Sequence, residues 1–166
     1  LGATLLDAQG QPLPPGGGAL QQLATLDLST LDPRLAELRV EAAVDVDNPL
    51  LGERGASAVF GPQKGATDAD VATLDRALGH FADLTAKALG RDDRELPGAG
   101  AAGGMGFAAH CFLNATLTPG IEMIMQQANF AQLLNDADLV ITGEGRLDGQ
   151  SLAGKTPIGF SRAAKR

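Results

Sequence analysis

One segment, Ala137 to Gly159 (ADLVITGEGRLDGQSLAGKTPIG), constrains the fold of this 166-residue chain more than any other. Asp138 to Thr142 is an almost unbroken apolar or β-branched run, which predicts a strand covered on both faces. Gly143, Gly145 and Gly149 then punctuate a loop that carries Glu144, Arg146 and Asp148, and a helix is expected from about Pro157. Open α/β sheets place their ligands in the loops at the carboxyl ends of strands. Charged side chains therefore stand where the backbone is free to approach a ligand.

The rest of the chain alternates in the same way. Thr4 to Leu13 (TLLDAQGQPL) suits a hairpin around Gly10, and Gly16 to Gly18 release a helix through about Leu23. Between Leu38 and Val46, apolar residues alternate with polar or small ones, predicting a half-buried strand that ends in DVDNPL. A long helix is expected over Thr67 to Leu89: Thr67 and Asp70 have capping-box spacing, Val71, Leu74, Leu78, Phe81, Leu84 and Ala88 form one apolar face, and Gly90 stops it. Gly103 to Leu113 suits a second helix. Thr118 and Pro119 are arranged as cap and first-turn proline of a third, and Phe130 to Leu134 forms a helical turn. Strands alternating with helices predict an α/β fold.

With 44% hydrophobic residues the chain can build a globular core, burying about 70% of its unfolded surface. A net charge of −7, with neither Trp nor Tyr, supplies no basic stripe and no stacking platform, so nucleic acid is not an expected partner. The most apolar window, Gly98 to Leu113, is shorter than the ~20 residues of a membrane span. A single cysteine, Cys111, rules out an internal disulfide and fits a small core residue, as expected of a cytoplasmic protein. The chain opens on Leu1 without methionine and stops soon after its last helix begins, so it reads as a fragment of a longer protein.

Two familiar patterns occur in the wrong context. Gly98, Gly100 and Gly103 satisfy the dinucleotide pattern GxGxxG, but the charged stretch RDDRELP, not a strand, precedes them. Their N–H groups suit a phosphate or carboxylate, and their small size equally suits close helix packing. Gly149 to Thr156 (GQSLAGKT) matches the P-loop pattern, yet six residues separate it from the expected strand, and Pro157 offers no N–H. Lys155 beside a helix start is a candidate anion contact or simply a solvated lysine.

Three constellations carry chemistry. Asp45, Asp47 and Asn48 end the Leu38 to Val46 strand, and alternation puts the two carboxylates on one side, facing a metal or a hydroxyl proton. A turn held by local Asx bonds uses the same residues. In Gly55 to Ala66 (GASAVFGPQKGA), a glycine-rich loop, Lys64 and backbone donors suit an anion, or a structural loop. Arg146 between Glu144 and Asp148 supplies the mixed charge that phosphoryl transfer needs, or a salt-bridged loop. His80 and His110 lie on expected helices and suit structural roles. Cys/His clusters of the zinc or iron kind are absent.

Taken in order and spacing, DVDNPL with GASAVFGPQKGA, LPGAGAAGGMG and LVITGEGRLDGQSLAGKTPIG resemble the bacterial type I glycerate kinases over nearly the whole chain. The resemblance implies transfer of the ATP γ-phosphoryl group to D-glycerate, giving 2-phosphoglycerate and ADP, with Mg²⁺. It implies a partial two-domain α/β fold: an inserted domain over residues 1–135 and a strand-loop-helix piece of a Rossmann-like domain over 136–166. Carried onto matching positions, Asp47, Asp148 and Arg146 are the expected catalytic residues, with Asp47 or Asp148 as base. Asp45, Asn48, Lys64 and Glu144 are expected to contact substrate, Gly100, Gly103 and Lys155 to contact phosphate, and Asp45 and Glu144 to hold the metal. Family members carry further segments at both ends, so this chain alone is expected to be inactive. A homodimer is one admissible assembly. A metal-dependent phosphatase or hydrolase, and a non-catalytic acid-binding module, use the same residues and stand as the alternatives.

Overall fold

The computed structural model describes residues 1–135, 137–143 and 156–164. The architecture is mixed α/β, with two small two-stranded sheets and six α-helices among these residues. Strand β1 (Thr4–Leu6) pairs antiparallel with β2 (Thr25–Asp27), with Leu5 opposite Leu26. The expected hairpin is present only as a tight turn: Asp7 Oδ1 accepts the N–H groups of Gln9 and Gln11, and Leu6 makes an isolated bridge to Pro12. The main partner of β1 is β2, which the sequence does not announce. Between them, Gly17–Gln22 winds as a 3₁₀ turn where a helix is expected.

Strand β3 (Glu41–Val44) is shorter than the expected Leu38 to Val46 segment. Asp32 caps a 3₁₀ turn at Pro33–Glu37 by accepting the Arg34 N–H at 3.0 Å, and Leu38, 56% exposed, belongs to the end of that turn. The predicted alternation nonetheless persists: Val40, Ala42, Val44 and Val46 are half-buried, whereas Glu41, Ala43, Asp45 and Asp47 are exposed.

β3 pairs in parallel with β4 (Thr116–Pro119), placing Ala43 opposite Thr118 and Val44 opposite Pro119. This corrects the expectation that Thr118 and Pro119 start a helix. Proline tolerates the end of an edge strand, where no ladder N–H is required, so α4 begins one residue later (Gly120–Gln127). α5 (Phe130–Leu134) lies where expected.

The expected loop Gly55 to Ala66 is also more regular than its glycines suggest. It contains α1 (Ala56–Phe60) and a 3₁₀ turn at Pro62–Lys64, closed by Gly65 in the left-handed region. The small residues Ala56 and Ser57 are buried there.

The long helix α2 (Asp68–Leu89) matches expectation at both ends. The Thr67 hydroxyl and Asp70 carboxylate form a reciprocal capping box, and Gly90 adopts φ +71°. Its buried side chains are Ala77, Phe81, Ala82 and Thr85, and Phe81 reaches α3 (Met105–Leu113), where its ring stands edge-on to that of Phe107 at 5.9 Å. Leu23, Leu50, Ala99 and Cys111 complete this core.

Residues 138–142 do not form the expected buried strand. Leu139 is 75% and Ile141 87% exposed, and no described strand lies alongside to exchange backbone hydrogen bonds. An apolar run becomes a sheet strand only when a neighbour supplies the ladder. α6 (Thr156–Ala164) forms where a helix is expected and packs on α4, with Phe160 edge-on to Phe130 at 4.6 Å. None of the described helices is long and apolar enough to cross a membrane.

Candidate functional site

Where β3 and β4 end side by side, the chain turns polar. The turn after β3 presents Asp45 and Asp47 to solvent on the face opposite Val44 and Val46, as the alternation predicts. Asn48 anchors it: its Nδ2 donates to the Arg54 carbonyl at 2.7 Å. Arg54 also reaches Asp47, at 3.4 Å, but both side chains are 70% exposed. Such a surface pair contributes little to stability and leaves the Asp47 carboxylate available. Among the described residues, Asp45 accepts no hydrogen bond. Its carboxylate lies against Gly120, the first residue of α4.

A second wall is built from glycines. The Gly100 N–H donates to the Asn48 carbonyl at 2.9 Å, and the Gly103 N–H to the Gly100 carbonyl at 3.2 Å. At Gly100 and at Gly106 a side chain could not fit. A methyl on Gly100 would stand 2.3 Å from the Pro49 carbonyl oxygen, and one on Gly106 would stand 2.1 Å from that of Gly98. The two N–H groups expected to meet phosphate are thus engaged by protein carbonyls, and the glycines bring this wall against the Asp45–Asn48 turn. Leu50 extends the joint, its N–H donating to the Arg94 carbonyl at 2.9 Å.

Of the other expected residues, Lys64 ends the 3₁₀ turn after α1, exposed and without an ion pair among the described residues. No described hydrogen bond joins it to the Asp45–Asn48 turn. Glu144, Arg146, Asp148 and Lys155 lie outside the described residues. Arg54 and Gly120 are not among the site residues expected from the sequence. Arg54 has a weak signal, as the first cation after the acidic turn, whereas the contact between Gly120 and Asp45 is nonlocal.

Both histidines bond backbone carbonyls, as expected of structural residues. His80 Nε2–H donates to Leu23 at 2.6 Å and His110 Nδ1–H to Ala115 at 3.0 Å. Burial, followed by the negative charge of Asp93, pushes the Cys111 thiol up to about 11, which makes it a poor nucleophile. Among the described residues no three His, Cys, Asp or Glu side chains gather closely enough to hold a metal ion by themselves.

A cavity of about 760 Å³ opens between α4, α5 and α6, with its rim at Pro119. Its lining is mixed: Ile121, Met125, Phe130 and Leu134 are apolar, whereas Glu122 and Arg162 are charged. It borders the end of β4, but Asp45, Asp47 and Asn48 do not line it.

The glycerate kinase family model matches residues 1–166. The chain is 54% identical to a glycerate kinase of Bacillus subtilis (strain 168), over 99% of the chain and 43% of that protein. It is 51% identical to the glycerate 2-kinase of Escherichia coli (strain K12), over 100% of the chain and 44% of that protein. A crystal structure from Salmonella typhimurium LT2, assigned by name to glycerate kinase 2, superposes with a TM-score of 0.85 at 52% identity, covering 100% of this chain and 44% of that one. The chain thus spans less than half the length of the relatives it matches.

Proposed function

Because this chain belongs to the glycerate kinase family, we propose that the protein carrying it transfers the γ-phosphoryl group of ATP to D-glycerate, giving 2-phosphoglycerate and ADP. The observation that carries this reading is the Asp45–Asn48 turn at the carboxyl end of a parallel strand pair, with exposed carboxylates held by a braced backbone. Ligands of open α/β sheets bind at such strand ends.

In this reading the glycerate hydroxyl attacks the γ-phosphorus, the bond to the β–γ bridging oxygen breaks, and the hydroxyl proton passes to a carboxylate. Asp47 is that base, with Asp148 as the competing assignment. Phosphoryl transfer depends chiefly on positioning and on charge stabilisation. Lys64 and Arg146 supply positive charge to the phosphate or the glycerate carboxylate, Lys155 adds a further cation, and Asp45, Asn48 and Glu144 orient the substrate. Gly100 and Gly103 act through the turn they support.

The carboxylates also fit Mg²⁺, which takes one or two protein oxygens and completes its shell with phosphate and water. Asp45 with Glu144 would hold it, and when bound it would neutralise charge on the phosphates.

Residues 1–135 form most of an inserted domain, and 136–166 return into a Rossmann-like one. The exposure of Leu139 and Ile141 supports this division, because their cover then comes from strands elsewhere in the longer protein. The test is ADP formation by the protein expressed from its complete gene. D-glycerate must stimulate it, with 2-phosphoglycerate as product. Release of inorganic phosphate without that stimulation would replace the kinase by a hydrolase.

A further inference from the structure

Two backbones leave the parallel pair together. Val44 lies opposite Pro119, so Asp45 and Gly120 are the first residues beyond the paired segment on their strands. Gly120 is helical and is not among the glycines with positive φ. Its backbone therefore does not require glycine, and by helix propensity alanine would be the better residue there. The requirement comes from Asp45. A methyl on Gly120 would stand 2.7 Å from Asp45 Oδ1, and its next nearest atoms would be Asp45 Cγ at 3.6 Å and Oδ2 at 3.7 Å. The first distance lies well inside the roughly 3.5 Å at which non-bonded heavy atoms make favourable contact.

We infer that Gly120 is a positioning residue for Asp45: its missing side chain leaves the space in which the carboxylate stands at the start of α4. The inference rests on the reading of Asp45 as a substrate or metal contact. The first turn of α4 favours a negative charge at this point through its dipole, although none of its N–H groups donates to Asp45 among the described residues. The clash falls on the tip of a side chain and not on backbone. Alanine at 120 therefore leaves the fold intact and turns Asp45 away.

The test is a double-mutant cycle in the protein expressed from its complete gene: wild type, Gly120→Ala, Asp45→Ala and the double variant. Gly120→Ala should raise KM for D-glycerate about tenfold, within the coupling expected of touching residues, with a smaller fall in kcat. In the Asp45→Ala background the same change should have no further effect. Equal losses in both backgrounds, or wild-type kinetics for Gly120→Ala beside an impaired Asp45→Ala, would overturn the inference.

Melting temperatures separate its failure from that of the underlying reading. Gly120→Ala should raise Tm in the Asp45→Ala background, where propensity acts alone, and lower it or leave it unchanged when Asp45 is present. If Asp45→Ala has wild-type kinetics, the site reading fails, and this contrast in Tm still decides the steric claim. A rise in both backgrounds would refute it.

Discussion

Asn48 and Gly100 join two turns that are far apart in sequence: the Gly100 N–H donates to the Asn48 carbonyl at 2.9 Å, with no room beside it for a side chain. Gly100→Ala should therefore destabilise the protein by about 2–3 kcal/mol, because the added methyl meets the Pro49 carbonyl and backbone must move. Gly103→Ala is the control. That position has open space and only a left-handed φ of +75°, so it should lose about 1 kcal/mol. Urea midpoints would rank the two.

Asp47→Asn should lower kcat by about 100-fold or more in the complete protein if Asp47 takes the hydroxyl proton. Stability should change by less than about 1 kcal/mol, since its Arg54 pair is exposed on both sides. Steady-state kinetics alongside thermal melts would show whether activity falls without unfolding. Unchanged turnover would transfer the role of base to another group.

The capping box of α2 gives a pH-dependent prediction. The Thr67 hydroxyl, and then the Thr67 N–H, hold the Asp70 carboxyl below its ordinary range. A carboxyl whose folded value is depressed contributes stability above its unfolded value, about 3.9, and loses that contribution as pH falls through the folded value. Asp70→Asn should thus be destabilising at pH 7 and nearly neutral in strong acid, as read by urea midpoints across the range. Thr67→Ala should lose about 1 kcal/mol at neutral pH.

Cys111 should resist alkylation in the folded protein. With its thiol pushed up to about 11 and its side chain in the core, little thiolate exists at neutral pH and little of it is accessible. Mass spectrometry should find slow iodoacetamide labelling in buffer and rapid labelling in denaturant. Fast native labelling would contradict the described core.

Phe107, 1% exposed and edge-on to Phe81, is the largest fully buried side chain among the described residues. Phe107→Ala should destabilise by about 3–5 kcal/mol, the range for emptying an aromatic site in a packed core. A chemical denaturation midpoint would measure it, and a small loss would mean that the core collapses around the vacancy.

What the sequence reveals depends on whether the deciding forces are local. α2 is legible because Thr67, Asp70 and Gly90 mark its ends and its apolar stripe repeats along one face. The Asp45–Asn48 turn is legible for a similar reason, since the strand alternation runs straight into DVDN. Thr118 and Pro119 mislead because the pair has the local chemistry of a helix start, whereas β3, distant in sequence, draws it into a parallel ladder. β2 is only three residues long, too short to display a period. Residues 138–142 have the composition of a buried strand, but composition cannot supply the neighbour that would pair with them. Gly120 looks like an ordinary turn glycine until Asp45 is seen against it.

The parallel pairing of β3 with β4 also governs the order in which the molecule can assemble. All of α1, α2 and α3 lies between these strands in the chain. Joining them early would close a long loop with few contacts to offset the lost entropy. The long helix α2, built from local contacts, can nucleate first, and the strand termini come together only as Phe81 meets Phe107 and Phe112 of α3. The acidic turn that depends on the sheet is then among the last parts to acquire its geometry.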